Sequence, residues 1–398
     1  MGVTNTHAVE IDGLYDAQVE VVNRDSQTFR GATQDALAEV IVRVSGDSHA
    51  IESSDVVTAL SKPDRYLLQF GYEKLLSKDL VPAPGEVDEV DVEMPALLLK
   101  LQFDPKAISQ LLRRAGLPIW ASNRPEVLLW LGAELEGQRQ LVSPSSSVEL
   151  SHLLLKESRR RGLPLSMPIY DLEDQAVVSI GDVWGMFTDR LIDASSRYPA
   201  TGVLMAKIYQ NDDGLWVGSW TLNVDGQSEW FDSAGDTANA VIAQAVDWAS
   251  DKMAAKFAIL ASADETDVVT LQISGVKQLT SYADVSKYLG DLVAIRRVQM
   301  QALNGDVLTF HVYLESDKAQ LQQSLKLDGH LALLGAMNPV AITPPPGNVQ
   351  IGTLKIDSLP RGNVSSETSV VDSEPTVLNV QSLTDKPQKT VLLYRWKG

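Results

Sequence analysis

Three carboxylates crowd together at Asp171, Glu173 and Asp174, directly behind the apolar run Leu163–Tyr170, and Asp182 and Trp184 follow shortly after. Acids so spaced can hold a cation or a polar ligand if the apolar run is a strand reaching the carboxyl edge of an open α/β sheet, where ligands of such sheets bind. The plainer reading is a solvated loop whose acids cap the helix that starts near Val183. A second candidate is aromatic: Trp216, Trp220 and Trp230 lie close together. A two-residue loop at Asp225-Gly226 sets Trp220 opposite Phe231, puts Trp216 on the same face as Trp220 and turns Trp230 to the other side. Left exposed, Trp216 and Trp220 make an aromatic slot for a sugar or a peptide. Covered, they pack beneath the helix that follows.

No other residue set carries chemistry by its spacing. The histidines are His7, His49, His152, His311 and His330, and none sits at metal-ligand spacing from another or from paired carboxylates. There is no Gly-x-Ser-x-Gly elbow and no Ser-x-x-Lys set. There is no phosphate-binding Gly-Lys-Ser/Thr loop and no Gly-x-Gly-x-x-Gly behind a strand. The chain has no cysteine, which excludes disulfides, thiolate metal sites, iron–sulfur clusters and cysteine catalysis. The residues therefore point to no catalytic set, no metal and no cofactor. Arg159-Arg160-Arg161 closes a helix, where the macrodipole favours cations.

The 52 acidic and 34 basic residues give a net charge of -18, and that field repels phosphate backbones. With only short basic runs, nucleic acid is not an expected partner. No apolar run reaches the roughly 18 residues that span a bilayer, so no transmembrane segment is expected. Hydrophobic residues make up 44% of the 398, enough for a sizeable core without staples.

These candidates need elements to position them. Leu14–Val22 alternates as a half-buried strand, and Phe29–Val44 follows helical spacing between an Asp25 or Ser26 cap and a stop at Gly46. Ser53–Leu60 and Tyr66–Leu76 read as helices, Glu86–Glu93 as an acidic connector, Pro95–Phe103 as a strand and Pro105–Ala115 as a helix. From Leu117 strands and helices alternate: Val127–Leu131 strand, Ser151–Arg161 helix, Leu163–Tyr170 strand, Val183–Tyr198 helix. Val203–Tyr209, Leu215–Val224 and Gln227–Asp232 form an antiparallel meander, and Asp236–Leu260 a long helix. Val268–Leu327 reads as a compact β-α-β-β-α module with its hairpin at Asn304-Gly305. Residues 339–388 are rich in Pro, Ser and Thr and read as a loose arm, with Val391–Trp396 as a closing strand or docking peptide.

The expected fold class is mixed α/β in several domains. These are an N-terminal β-α domain (10–104), a central α/β domain with the meander (105–262), the βαββα module (263–335) and an extended tail with a terminal strand (336–398).

Five strings taken together resemble one family. They are Tyr15–Asp47 (YDAQVEVVNRDSQTFRGATQDALAEVIVRVSGD), Gly116–Leu131 (GLPIWASNRPEVLLWL), Arg161–Asp174 (RGLPLSMPIYDLED), Asp182–Gly185 (DVWG) and Leu393–Trp396 (LYRW). As a set they resemble the domain of unknown function 2066 family of Gram-negative bacteria, over most of residues 10–335. The resemblance implies an exported, periplasmic envelope protein without established catalytic residues. Met1–Ile11 has no signal-like basic and apolar stretch, so export implies a signal already removed; read without the resemblance, the chain would be cytoplasmic. The middle section is similar in outline to the amino-terminal domain of the Tol-system β-propeller protein and to curli-secretion lipoproteins, a likeness of fold that carries no function.

The expected function is a non-catalytic envelope module that binds a protein partner or a small ligand. The alternative is a hydrolase or transferase whose carboxylates meet only in the fold. A third reading is a scaffold subunit that uses the 339–398 arm for strand addition.

Overall fold

The computed structural model describes residues 8–74, 97–144, 148–260, 268–337 and 391–397. The fold is mixed α/β, with parallel and antiparallel strands in helix-covered sheets. A short strand, β1 (Ala8–Glu10), opens it. Alternation over Asp16–Val21 makes β2, which buries Ala17 and Val21, and α1 (Ser26–Ser45) follows. Asp25 caps α1 by accepting from the Thr28 N–H, and Gly46 ends it at φ 72°, a conformation open to a residue without Cβ. A Cβ at Gly46 would overlap the Ala254 side chain, so α1 ends pressed against a later helix.

Next comes α2 (Ser54–Leu60), then β3 (Leu67–Lys74). Where helical spacing was expected over Tyr66–Leu76, the described residues form a strand. It is the edge strand of the sheet β2-β4-β3, completed by β4 (Leu97–Phe103). A bulge between Leu67 and Gln69 shifts its register, and beyond it only Leu68, Phe70 and Tyr72 mark the two-residue period, with Leu68 and Phe70 exposed. Helix α3 (Pro105–Arg114) sends Ile108, Leu111 and Leu112 into the core that α1 also lines. Helix α3 thus shares one core with α1, β2 and β4.

Strand β5 (Asn123–Pro125) pairs with β1 as a two-stranded ribbon. The apolar run at Val127 extends to Leu135 as β6 and turns at Glu136-Gly137, both at positive φ, into β7 (Gln138–Val142). Helix α4 (Val148–Arg161) and a two-residue strand, β8 (Leu165–Ser166), follow. Then come α5 (Leu172–Val177), α6 (Ile180–Trp184) and α7 (Thr188–Ser195). The single helix expected over Val183–Tyr198 is broken at Gly185 and Met186, the latter at φ 54°. The meander is β9 (Gly202–Gln210), β10 (Trp216–Val224) and β11 (Gln227–Gly235), closed by α8 (Ala238–Phe257).

The central sheet runs β11-β10-β9-β6-β7, with β8 beside β6 and with β6 parallel to β9. On one face α4 and α8 bury Leu129, Leu131, Leu204 and Trp220. On the other, α6 and α7 pack on β6 and β9 around Trp130, Met205, Val183 and Leu191.

The last unit holds β12 (Val268–Ser274), α9 (Leu279–Asp291), β13 (Ile295–Asn304), β14 (Val307–Leu314), α10 (Lys318–Asp328) and β15 (Leu331–Met337). It also holds β16 (Val391–Trp396). The expected module gains two strands, and the sheet order is β13-β14-β12-β16-β15. Strand β16 inserts parallel to β12 and antiparallel to β15, burying Leu392 and Tyr394. The acidic connector expected at Glu86–Glu93 and the arm expected at 339–388 lie outside the described residues.

Arginines bind the units together. The Arg124 guanidinium has 0% exposure and stacks on Trp120 at 4.1 Å. It donates to the carbonyls of Ala121, Arg161, Gly162, Arg43 and Trp120 at 2.8–3.0 Å. Arg161, also buried, reaches Asp247, Asp251 and the Gly46 carbonyl. Arg161, the last residue of α4, is thus tied across the core, beyond any effect of the helix dipole. Glu315 links Arg113 of α3 to Arg296 of β13.

Candidate functional site

The acidic cluster is assembled but occupied. Asp171 is the N-cap of α5, accepting from the Glu173 and Asp174 N–H groups at 3.1 Å. Arg197, just beyond α7, donates to both Asp171 oxygens at 2.8 and 2.9 Å and to Asp174 at 2.8 Å, and it pairs with Glu173 at 3.4 Å. Asp174 is fully buried, and its other oxygen accepts from the Tyr170 N–H and the Tyr198 hydroxyl. The hydrogen bonds from Arg197 hold the Asp171 carboxyl well below the usual carboxylate range. Burial, then the bond to Asp174, pushes the Tyr198 hydroxyl up to about 12. The cluster is an ion-paired helix cap in which both oxygens of Asp171 and of Asp174 are engaged, while Glu173 stays largely exposed. Nor does it follow a long strand: β8 pairs only with Val127 and Leu128, the first residues of β6.

Trp184, the fourth candidate, lies elsewhere. Asp182 belongs to a capping box with Ser179 and pairs with Arg190, which fixes short α6 and aims Trp184 at the far ends of β6 and β9. Gly132 in β6 permits this approach, since a Cβ there would stand 3.3 Å from Ile180 and 3.6 Å from Trp184. The Arg139 guanidinium lies 4.3 Å over the Trp184 ring and pairs with Glu134 at 3.0 Å. Trp184 and Tyr209 meet with centroids 5.9 Å apart, tilted by 52°.

Around them opens a cleft of about 410 Å³, lined by Glu134, Arg139, Trp184, Lys207, Tyr209 and the turn Gln210–Asp212. It stands at the carboxyl ends of the parallel pair β6 and β9, the edge at which α/β sheets take ligands. Gln210 and Asn211 are committed to the turn, donating to the Gly214 carbonyl and accepting from the Asp213 and Leu215 N–H groups. Among the described residues, Lys207 and Asp212 are the charges of the cleft without an ion-pair partner, beside an aromatic wall and the Glu134–Arg139 pair.

The meander tryptophans divide between faces as their register requires. Trp220 pairs with Phe231 across the hairpin, is 1% exposed and donates its indole N–H to Ser233. Trp216 is half-buried against the same core. The slot expected from Trp216 and Trp220 is therefore closed, because α8 lies on that face, with Trp248 stacked on Phe231. Trp230 points the other way and is 77% exposed.

Among the described residues no group of His, Asp and Glu is placed to hold a metal ion, and no helix is long and apolar enough to cross a membrane. His330 stacks on Trp396 and meets Tyr288 edge-on. The sequence reading missed Arg197, Glu134, Arg139, Lys207 and Tyr209. Only the Glu136-Gly137 turn signalled the hairpin that carries Glu134 and Arg139.

Fold and cleft together define an α/β protein with a ligand-sized opening at its central sheet edge. One family profile, a domain of unknown function (DUF8605), matches residues 8–121. That stretch covers less than a third of the chain, β1 through α3, and its family number differs from the one resembled above. A solved structure described as "Crystal structure of uncharacterized protein" is similar over 33% of this chain and 95% of its own, at 13% identity and a TM-score of 0.12; a likeness that slight carries no argument. No curated protein matches.

Proposed function

We propose that the protein is a non-catalytic binding module of the cell envelope that takes a small polar ligand with a ring in the cleft beside Trp184. One observation carries this reading: the cleft joins an aromatic wall to a lysine with no ion-pair partner among the described residues, while its one paired acid, Glu134, is already neutralised by Arg139. Pockets of this size with a few convergent polar groups are the usual place for a ligand. A hydrolase would need facing carboxylates with divergent pKa values. Asp171, Glu173 and Asp174 instead converge on Arg197. The envelope location rests on the resemblance of Tyr15–Asp47 and its companion strings.

A thermal-shift panel of amino acids, monosaccharides and nucleosides tests the binding reading. Ligands that raise the melting temperature of the wild type and not of Trp184→Ala support it. A panel with no hits, or hits that persist in the variant, sinks it. Turnover of a nitrophenyl ester or glycoside that Glu134→Gln abolishes would move the assignment to a hydrolase. Fractionation of the native full-length product checks location, and a cytosolic product removes the envelope assignment.

A further inference from the structure

Helices α6 and α7 cover the β6–β9 half of the central sheet and stop there, while β10 and β11 pack on α8 from the opposite side. The remaining face is built from alternate residues of β9, β10 and β11. Its register sets Lys207, Ser219 and Asp232 in one row and Thr221 and Trp230 in another. Asn223 and Ser228 bond across its far end at 2.8 Å. Along the sheet the same face runs into the cleft at Tyr209 and Trp184.

The chemistry of this face narrows its occupant. Its charges are one lysine and one aspartate, so it is neutral on a chain of net charge -18 and attracts neither polyanion nor polycation. An apolar partner would strand the hydroxyls of Ser219 and Thr221 without hydrogen bonds. A ligand is needed with an apolar, C–H-bearing ring face for the indole and a rim of hydroxyls for the rows beside it. Strand geometry puts Trp230 about 17 Å from Tyr209, two strands across and four residues along. A single sugar ring cannot touch both. A chain of them can.

We propose that this face and the cleft form one continuous site for a neutral glycan chain, with a ring stacked on Trp230, hydroxyls on Lys207, Ser219, Thr221 and Asp232, and the leading unit beside Tyr209 and Trp184. The proposal rests on the binding reading above and names its ligand class. The test uses full-length protein with labelled tryptophan indoles, titrated with N-acetylglucosamine, chitotetraose and cellotetraose. A tetrasaccharide is expected to shift the indole signals of both Trp230 and Trp184 and to bind at least about tenfold tighter than the monosaccharide. Trp230→Ala, which alters an exposed side chain and is expected to leave the melting temperature unchanged, should weaken it about tenfold. If neither tetrasaccharide moves Trp230, or the variant binds as tightly as the wild type, the glycan site is overturned. The cleft reading survives that result if a small ligand still depends on Trp184, and falls with it if none does. Shifts confined to the outward amides of β11 would mean strand addition at the sheet edge and would also overturn the proposal.

Discussion

At the scale of single residues, two carboxylates respond to pH in opposite directions. Asp171 is held low by Arg197, so the folded state gives up its proton more readily than the unfolded chain. The stability this provides is present above the ordinary carboxylate range and disappears as the pH falls through the depressed folded value. Arg197→Gln should therefore melt below the wild type at pH 7, with the gap closing in strong acid, as circular-dichroism melts would show. Asp328 is the converse. Burial raises it, against bonds from Asn123 and Tyr288 and the charge of nearby His330, while Glu10 pushes the same way as burial. Its folded form holds the proton longer, so stability declines as the pH climbs from the ordinary carboxylate value through the raised one. Asp328→Asn should flatten that decline, and a variant that keeps the wild-type slope would refute this account. Neither pairing was legible in the sequence. The acids at 171–174 stood out, but the arginine that neutralises them lies 23 and 26 residues away, with two short helices between.

Among the elements, legibility followed how cleanly a period was expressed. The meander read correctly to its register because Asp225-Gly226 fixes the turn and one face of β10 buries Gly218, Trp220, Leu222 and Val224. Strand β3 did not, because its period shows only at Leu68, Phe70 and Tyr72, and its bulge and exposed edge leave Leu68 and Phe70 unburied. The cleft was illegible for another reason, since it is assembled from the ends of β6, β7, α6 and β9, far apart in the chain. Two elements invite direct tests. Gly218 lies in β10 beneath α8, and a Cβ there would stand 2.8 Å from Val241 and 2.9 Å from Ser233. Gly218→Ala should cost about 1–3 kcal/mol by overpacking, measurable by urea unfolding, with Gly226→Ala at the open hairpin turn as a control for backbone strain alone. Strand β15 pairs only with β16 in its sheet. Removing residues from Val391 onward should leave the edges of β12 and β15 unpaired, and hydrogen exchange would report lost protection there with the central sheet still protected.

In the whole molecule, buried arginines fasten the units through backbone carbonyls. Arg124 ties the ends of α1 and α4 to the turn before β5, and burial beside Arg43 and Arg161 pulls its pKa down while five carbonyl oxygens hold the cation. Replacing it with methionine should cost about 3–5 kcal/mol, as orphaning buried polar groups does. Calorimetry should then resolve the N-terminal unit melting apart from the central sheet; a single unshifted transition would show the lock to be dispensable. The insertion of β16 has a consequence in time as well as in space. Strand β16 is synthesised well after both its neighbours, so the ribosome releases β12 and β15 with a gap between them. Until the late strand arrives, their open ladders are sticky and vulnerable to proteases. A product cut short anywhere between Met337 and Val391 keeps that gap for good. The sheet closes only on a chain that carries β16, so the fold itself tells such a chain from one cut short before that strand.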